Sequence, residues 1–222
     1  MTSYTHTISS GLKGRKAQER HMAPTRREIW IGALALGLAG VGLASPARAE
    51  TALGEQVKGD PAAPIEIIEY ASLTCPHCAA FHSQTLPQVD KEWIATGKAR
   101  LVYRDFPLDE LALRAAMLAH CAGPKRYFAF IGVLFKQQQV WARSADPLKE
   151  LAKIGRLGGI SQQAFDACMA DQSLLDAILK VRLDGAKNHD VSATPTLIIN
   201  GEKHAGALSY DEINRVLTKH LP

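Results

Sequence analysis

Cysteine is scarce in this sequence. Its 222 residues include four, too few to staple a chain of this size, which buries enough apolar surface to fold without such help. Each cysteine therefore has to be read individually. Neither sign of charge dominates. The formal net charge of +4 comes from the leading segment, where Lys13, Arg15, Lys16, Arg20, Arg26, Arg27 and Arg48 are set against Glu19 and Glu28; the remainder holds 19 basic and 20 acidic residues. The body of the chain thus lacks the basic footprint that phosphate backbones require, which excludes nucleic acid as its partner. Internal repeats and low-complexity tracts are also missing. With 46% hydrophobic and 22% charged residues, disordered and fibrous classes are excluded, leaving the scale of one globular domain with an insertion.

The basic leader has the order of a secretory signal: Arg26 and Arg27, an uncharged run from Ile29 to Ala47, then the small-x-small sequence Ala47-Arg48-Ala49. Cleavage after Ala49 is predicted, and residues 1–49 are assigned to the export signal. A retained membrane anchor is the competing reading. Gly32, Gly37, Gly40, Gly42 and Pro46 weigh against it by diluting a segment already short for a bilayer. Thr25-Arg26-Arg27-Glu28-Ile29-Trp30 resembles a twin-arginine signal, and Met22 is an alternative start; a general secretory route fits as well. Both routes lead out of the cytoplasm, to a periplasm or cell envelope where thiols become disulfides.

Beyond the leader, Ile65–Tyr70 reads as a strand after the turn residues Gly59-Asp60-Pro61 and Pro64. From Pro76 to about Thr96, Leu86, Val89 and Trp93 recur at helical spacing, with a kink expected at Pro87. Ala99–Phe106 is a second strand, so the three elements predict a parallel pair with a right-handed crossover. Residues 109–190 are helical throughout. Asp146-Pro147 forms an N-terminal cap and Ser173-x-x-Asp176 a capping box. Thr196–Ile199, the hairpin signal Asn200-Gly201, Lys203–Ala205 and a helix capped by Ser209-x-x-Glu212 complete the chain. The order is that of an α/β thioredoxin fold, residues 50–108 and 191–222, with an inserted helical subdomain, residues 109–190.

Cys75-Pro76-His77-Cys78 falls where the first strand meets its helix. Pro76 suits the first helical position and places Cys75 at the N-cap, where free backbone N–H groups and the helix dipole stabilise a thiolate. A charged His77 would add to that stabilisation. Cys78, one turn in, can reach the Cys75 sulfur but should be less exposed. A thiolate of depressed pKa attacks well and leaves well, so a disulfide here is easily passed on. Two other uses of the pair compete. Cys75, Cys78 and His82 could supply three zinc ligands, although the second ligand pair of a structural site is missing; a purely structural disulfide is the other. Haem attachment would need histidine where Ala79 stands. The other histidines, His82, His120, His189, His204 and His220, show no ligand spacing and read as surface or helix-end residues. No metal or cofactor is expected.

These features together resemble the DsbA-like thiol:disulfide oxidoreductases of the bacterial cell envelope, from about Val57 to Leu221. The resemblance rests on Cys75-Pro76-His77-Cys78, the helical insertion, and Thr194-Pro195 before the third strand. It implies that Cys75 is the nucleophile, Cys78 the resolving cysteine, and Pro195 a cis-proline facing the site with Thr194 beside it at the substrate. Pro76 and His77 match the intervening pair of the strongly oxidising members. Glu69, six residues before Cys75, matches a buried acid that relays protons to or from Cys78.

The chain departs from the family pattern at Thr194, where the best-studied oxidases have valine. It departs again at Cys121 and Cys168, which the simplest members lack. These two are either free core cysteines or a structural disulfide, and an oxidising compartment favours the bond. The function implied is donation of the Cys75–Cys78 disulfide to exported proteins by a monomer, with reoxidation by a membrane-bound, quinone-linked partner. A reductase or isomerase using the same pair is the runner-up. Isomerases usually add a dimerisation domain ahead of the thioredoxin part, and only about 15 residues separate Ala49 from the first strand. A metal-binding carrier using Cys75, Cys78 and His82 is the reading from another class.

Overall fold

A computed structural model describes residues 53–221; the leader, with its export, cleavage and Met22 readings, lies outside the described residues. Five strands form one mixed sheet in the order β1-β3-β2-β4-β5: β1 Gln56–Lys58, β2 Ile65–Ala71, β3 Ala99–Asp105, β4 Thr196–Ile199 and β5 Glu202–Ala205. β2 and β3 run parallel, pairing Ile65 with Ala99 through Ala71 with Asp105. β4 lies antiparallel to β2 on its other side. The edge strand β1, antiparallel to β3, has no counterpart in the sequence reading. Its three half-buried residues are too few to show a period.

β2 is buried almost throughout, as a central strand covered on both faces must be. Ile67, Leu101 and Ile199 sit side by side on one face with Val89, Trp93, Ile213 and Leu217. The intervening residues Ile68, Val102 and Ile198 pack on the other with Tyr70, Phe106 and Val191. The hairpin between β4 and β5 turns on Asn200 and Gly201, both at positive φ, the backbone that Asn-Gly favours.

The helix after β2 is less regular than a single kink. α1, Pro76–Ala80, widens into a π-helical turn at Phe81–Thr85, resumes as α2, Leu86–Val89, and widens again at Asp90–Ile94. Pro87 has no N–H for an α-helical bond, and the first wide turn absorbs that loss. Between β3 and β4 the chain is helical, as predicted: α3 Glu110–Cys121, α4 Tyr127–Lys136, α5 Gln138–Trp141, α6 Pro147–Leu157, α7 Gln162–Met169 and α8 Gln172–Asn188. Asp146 caps α6 ahead of Pro147. At α8 the expected capping box fails. Asp171 is the cap, accepting from the Leu174 N–H, and Ser173 lies inside the helix. Asp and Ser are both good caps, so the pattern alone chose the wrong one. α9, Tyr210–Lys219, begins with the predicted Ser209–Glu212 box.

The helices share a core built on Met117, Leu118, Ile131, Leu134, Trp141, Leu151 and Ile178, and Cys75 and Cys78 belong to that core. Cys121, at the end of α3, is bonded to Cys168 of α7, closing a separation of 47 residues. The fold class is the expected one, a thioredoxin fold with a helical insertion.

Candidate active site

Strand β2 ends at Ala71, and four residues later Cys75 occupies the N-cap of α1 with extended backbone, Pro76 following at the first turn. The intervening loop is held from the insertion. Gln138 of α5, itself buried, donates through Nε2 to the carbonyls of Leu73 at 2.8 Å and Cys75 at 2.9 Å. Thr74 donates to Asp109 at 2.6 Å, the residue that caps α3. Neither contact is visible from sequence, because the partners lie 63 and 35 residues away.

Both sulfurs are free thiols. Cys75 is less open than an N-cap residue usually is, at 5% exposure, and Cys78 is fully buried. The two thiols are driven apart. Cys75 is lowered from 9.0 to about 5, first by the hydrogen bond from the Cys78 thiol, against the opposing effect of burial, then by Thr194 and by the backbone N–H groups of Cys78 and His77. Burial pushes Cys78 the other way, reinforced by its donation to Cys75 and by the charge of Glu69. His77 contributes its N–H; its imidazole is exposed and is not among the main groups acting on the sulfur.

Thr194 and Pro195 lie across from Cys75, joined by a cis peptide bond. The protonated Cys75 thiol donates to the Thr194 carbonyl at 3.3 Å. The Thr194 hydroxyl is buried and has no partner in that state. Its lowering effect on Cys75 has a simple source, since an unengaged O–H beside a thiolate donates to it. Next to Pro76 a groove of about 480 Å³ opens, lined by Thr74, Pro76, Asp109, Leu111, Gln138 and Arg143.

Two histidines expected at the surface or at helix ends face inward, although His120 does stand in the last turn of α3. His82 stands with Nε2 3.0 Å from both carboxylate oxygens of Glu69, and the Glu69 side chain has no exposure. Cys78 and His82 are four residues apart, a spacing that puts both on one helix face; that spacing was the available signal. His82 is thereby engaged by Glu69, and among the described residues no group of three or more His, Cys, Asp or Glu side chains is placed to hold a metal ion. His120 of α3 meets buried Asp105 at 2.7 Å, and Tyr127 of α4 donates to the same oxygen at 3.2 Å.

A family model described as thioredoxin matches residues 51–219. A protein of Rickettsia typhi named as a protein-disulfide oxidoreductase is 32% identical over 168 residues, 75% of this chain; the chain spans 62% of that relative's length. Disulfide bond formation protein D of Bacillus subtilis is 25% identical, with 76% of this chain and 78% of the relative covered. The crystal structure of alpha-DsbA1 from Wolbachia pipientis superposes with a TM-score of 0.70 at 34% identity, covering 74% of this chain and 89% of that one. The chain belongs to the DsbA-like thiol:disulfide oxidoreductases of the thioredoxin superfamily.

Proposed function

We propose that this protein is a disulfide oxidase of the cell envelope that donates the Cys75–Cys78 bond to exported proteins. A substrate thiolate attacks the Cys75 sulfur, the Cys75–Cys78 bond breaks, and the electron pair leaves on Cys78, which takes up a proton. The substrate's second thiolate then attacks its own sulfur in the mixed disulfide and expels Cys75 as thiolate. The substrate is oxidised and the cysteine pair reduced. Cys75 is the sulfur that faces the substrate because it lies at the mouth of α1 against Thr194 and Pro195, while Cys78 is closed off beneath it. Pro76 and His77 shape that first turn, and Glu69 is the buried acid serving Cys78.

The observation that carries this reading is the lowered pKa of Cys75, about 5. A sulfur so stabilised as thiolate is a good leaving group, which pulls exchange toward release of the disulfide to the substrate. The groove beside Pro76 supplies a surface for an unfolded chain around the reacting cysteine. Export follows from the Arg26-Arg27 leader and the Ala47-Arg48-Ala49 site. Among the described residues no helix is long and apolar enough to cross a membrane. The reduced pair then needs an external oxidant, and a membrane-bound, quinone-linked protein fits that need.

Equilibration of the Cys75–Cys78 pair with glutathione buffers, read by thiol alkylation, tests the direction. The expected potential is more oxidising than the glutathione couple. A potential near that of thioredoxin, about −270 mV, would assign the protein to the reductases.

A further inference from the structure

Glu69 is buried in the protein interior, and among the described residues no lysine or arginine is paired with it. Among the described residues the one side chain hydrogen-bonded to it is His82, which faces both of its oxygens at 3.0 Å. The His82 side chain keeps 8% exposure where that of Glu69 keeps none, so the ring bridges the carboxylate and the solvent edge. It is held there on two sides. Phe135 of α4 lies over the ring at 4.1 Å, and Tyr103 of β3 meets it at a steep angle at 5.9 Å.

The groups facing this pair are Cys78 from α1, Tyr103 from β3, where it is the register partner of Glu69, and Tyr127 from α4, with Asp105 next to both tyrosines. Leu197 of β4 pairs with Glu69 on the other side, and α2 brings no titratable side chain. Burial pushes both tyrosines far up, so neither changes charge near neutral pH. Asp105 is held instead by His120 and Tyr127, which leaves Cys78, Glu69 and His82 as the groups that can exchange a proton here, and imidazole is the side chain suited to doing so at physiological pH.

We propose that His82 holds the proton that Cys78 gives up and takes back by way of Glu69, which makes it a positioning residue for the exchange reaction. The proposal rests on the exchange reading above. When a substrate thiolate opens the disulfide, the buried Cys78 thiolate takes a proton from the Glu69–His82 pair. The pair is left as carboxylate and neutral imidazole, and is refilled from solvent at the exposed edge of the ring. In the reverse step the Cys78 thiol passes its proton to the pair. Its sulfur attacks Cys75 in a mixed disulfide, the Cys75 bond to the outer sulfur breaks, and that sulfur leaves with the electron pair. The outer thiol is reduced, the Cys75–Cys78 disulfide forms, and the proton departs through His82.

The reverse step can be timed. Reduced protein is mixed with oxidised glutathione from pH 5 to 8, and the Cys75–glutathione mixed disulfide is followed by acid quench and mass spectrometry. Its resolution in the wild type should speed up with pH through a step at the midpoint where the His82 ring titrates by NMR. His82→Gln, which keeps a donor to Glu69 but cannot hold the proton, should slow resolution about 100-fold at pH 7, the low end for acid–base catalysis, and should abolish the step. A uniform slowing with the step retained would assign His82 a purely structural role and overturn the proposal. So would a wild-type rate indifferent to the His82 midpoint, a result that stands even if the variant does not fold. Wild-type protein that forms no mixed disulfide at all would instead overturn the exchange reading itself.

Discussion

One residue, Cys75, ties the chemistry of this protein to its stability. In the reduced state its thiolate is stabilised by the fold, whereas the closed disulfide carries no charge to stabilise. The folded value of about 5 lies below the ordinary 9.0, so this contribution is fully present above pH 9, declines as the pH falls, and is gone below 5. Cys78, raised by burial, lowers stability only above its ordinary pKa and is silent near neutrality. Against the thiolate stands the short ring closed by the disulfide, which favours the oxidised form by about 2 kcal/mol through loop entropy. Melting both forms from pH 4 to 8, with Cys121–Cys168 bonded throughout, should show the oxidised form ahead in acid and the reduced form gaining with each pH unit above about 5. The gain is limited to about 1.4 kcal/mol per unit for one proton. A gap that does not change with pH would mean that the folded and unfolded thiols titrate alike.

At the scale of elements, the sheet and the helical insertion are joined by a polar contact inside an apolar seam. Asp105, the last residue of β3, is 4% exposed and accepts from His120 of α3 and Tyr127 of α4 through one oxygen. Asp105→Ala removes that acceptor and strands two buried groups, which should lower stability by about 3 kcal/mol. Urea unfolding followed by circular dichroism measures this, and a loss below about 1 kcal/mol would mean that water replaces the carboxylate. The elements themselves were largely legible. Apolar runs behind turn residues and prolines, and Asn-Gly, marked β2, β3 and the β4–β5 hairpin, while β1 was too short to mark itself. The helix after β2 was legible in extent but not in its wide turns, which depend on how Pro87 and the packed face are accommodated together.

For the whole molecule, the Cys121–Cys168 bond is the covalent tie within the insertion. Closing a separation of 47 residues restricts the unfolded chain by roughly 4 kcal/mol. Replacing both cysteines by serine should lower the melting midpoint by about 2–4 °C for each kcal/mol lost. The glutathione equilibrium of Cys75–Cys78 in that variant separates a purely structural bond from one coupled to the active site: an unchanged equilibrium is expected, and a shifted one would reveal coupling.

What the sequence determined by itself was local in origin. Proline after Cys75, strand before it and helix after it place the thiol at a helix start, and that alone predicts the direction of its pKa. Leader composition likewise pointed to an oxidising compartment without any fold. Tertiary structure decided everything that depends on distant chain segments meeting. It set Thr194 opposite Cys75 across 119 residues and brought Gln138 to the loop carbonyls. It also turned His82 and His120 inward onto Glu69 and Asp105. A histidine reads the same in sequence whether it faces water or a buried carboxylate. Only packing, by removing water from the acid, makes that difference count.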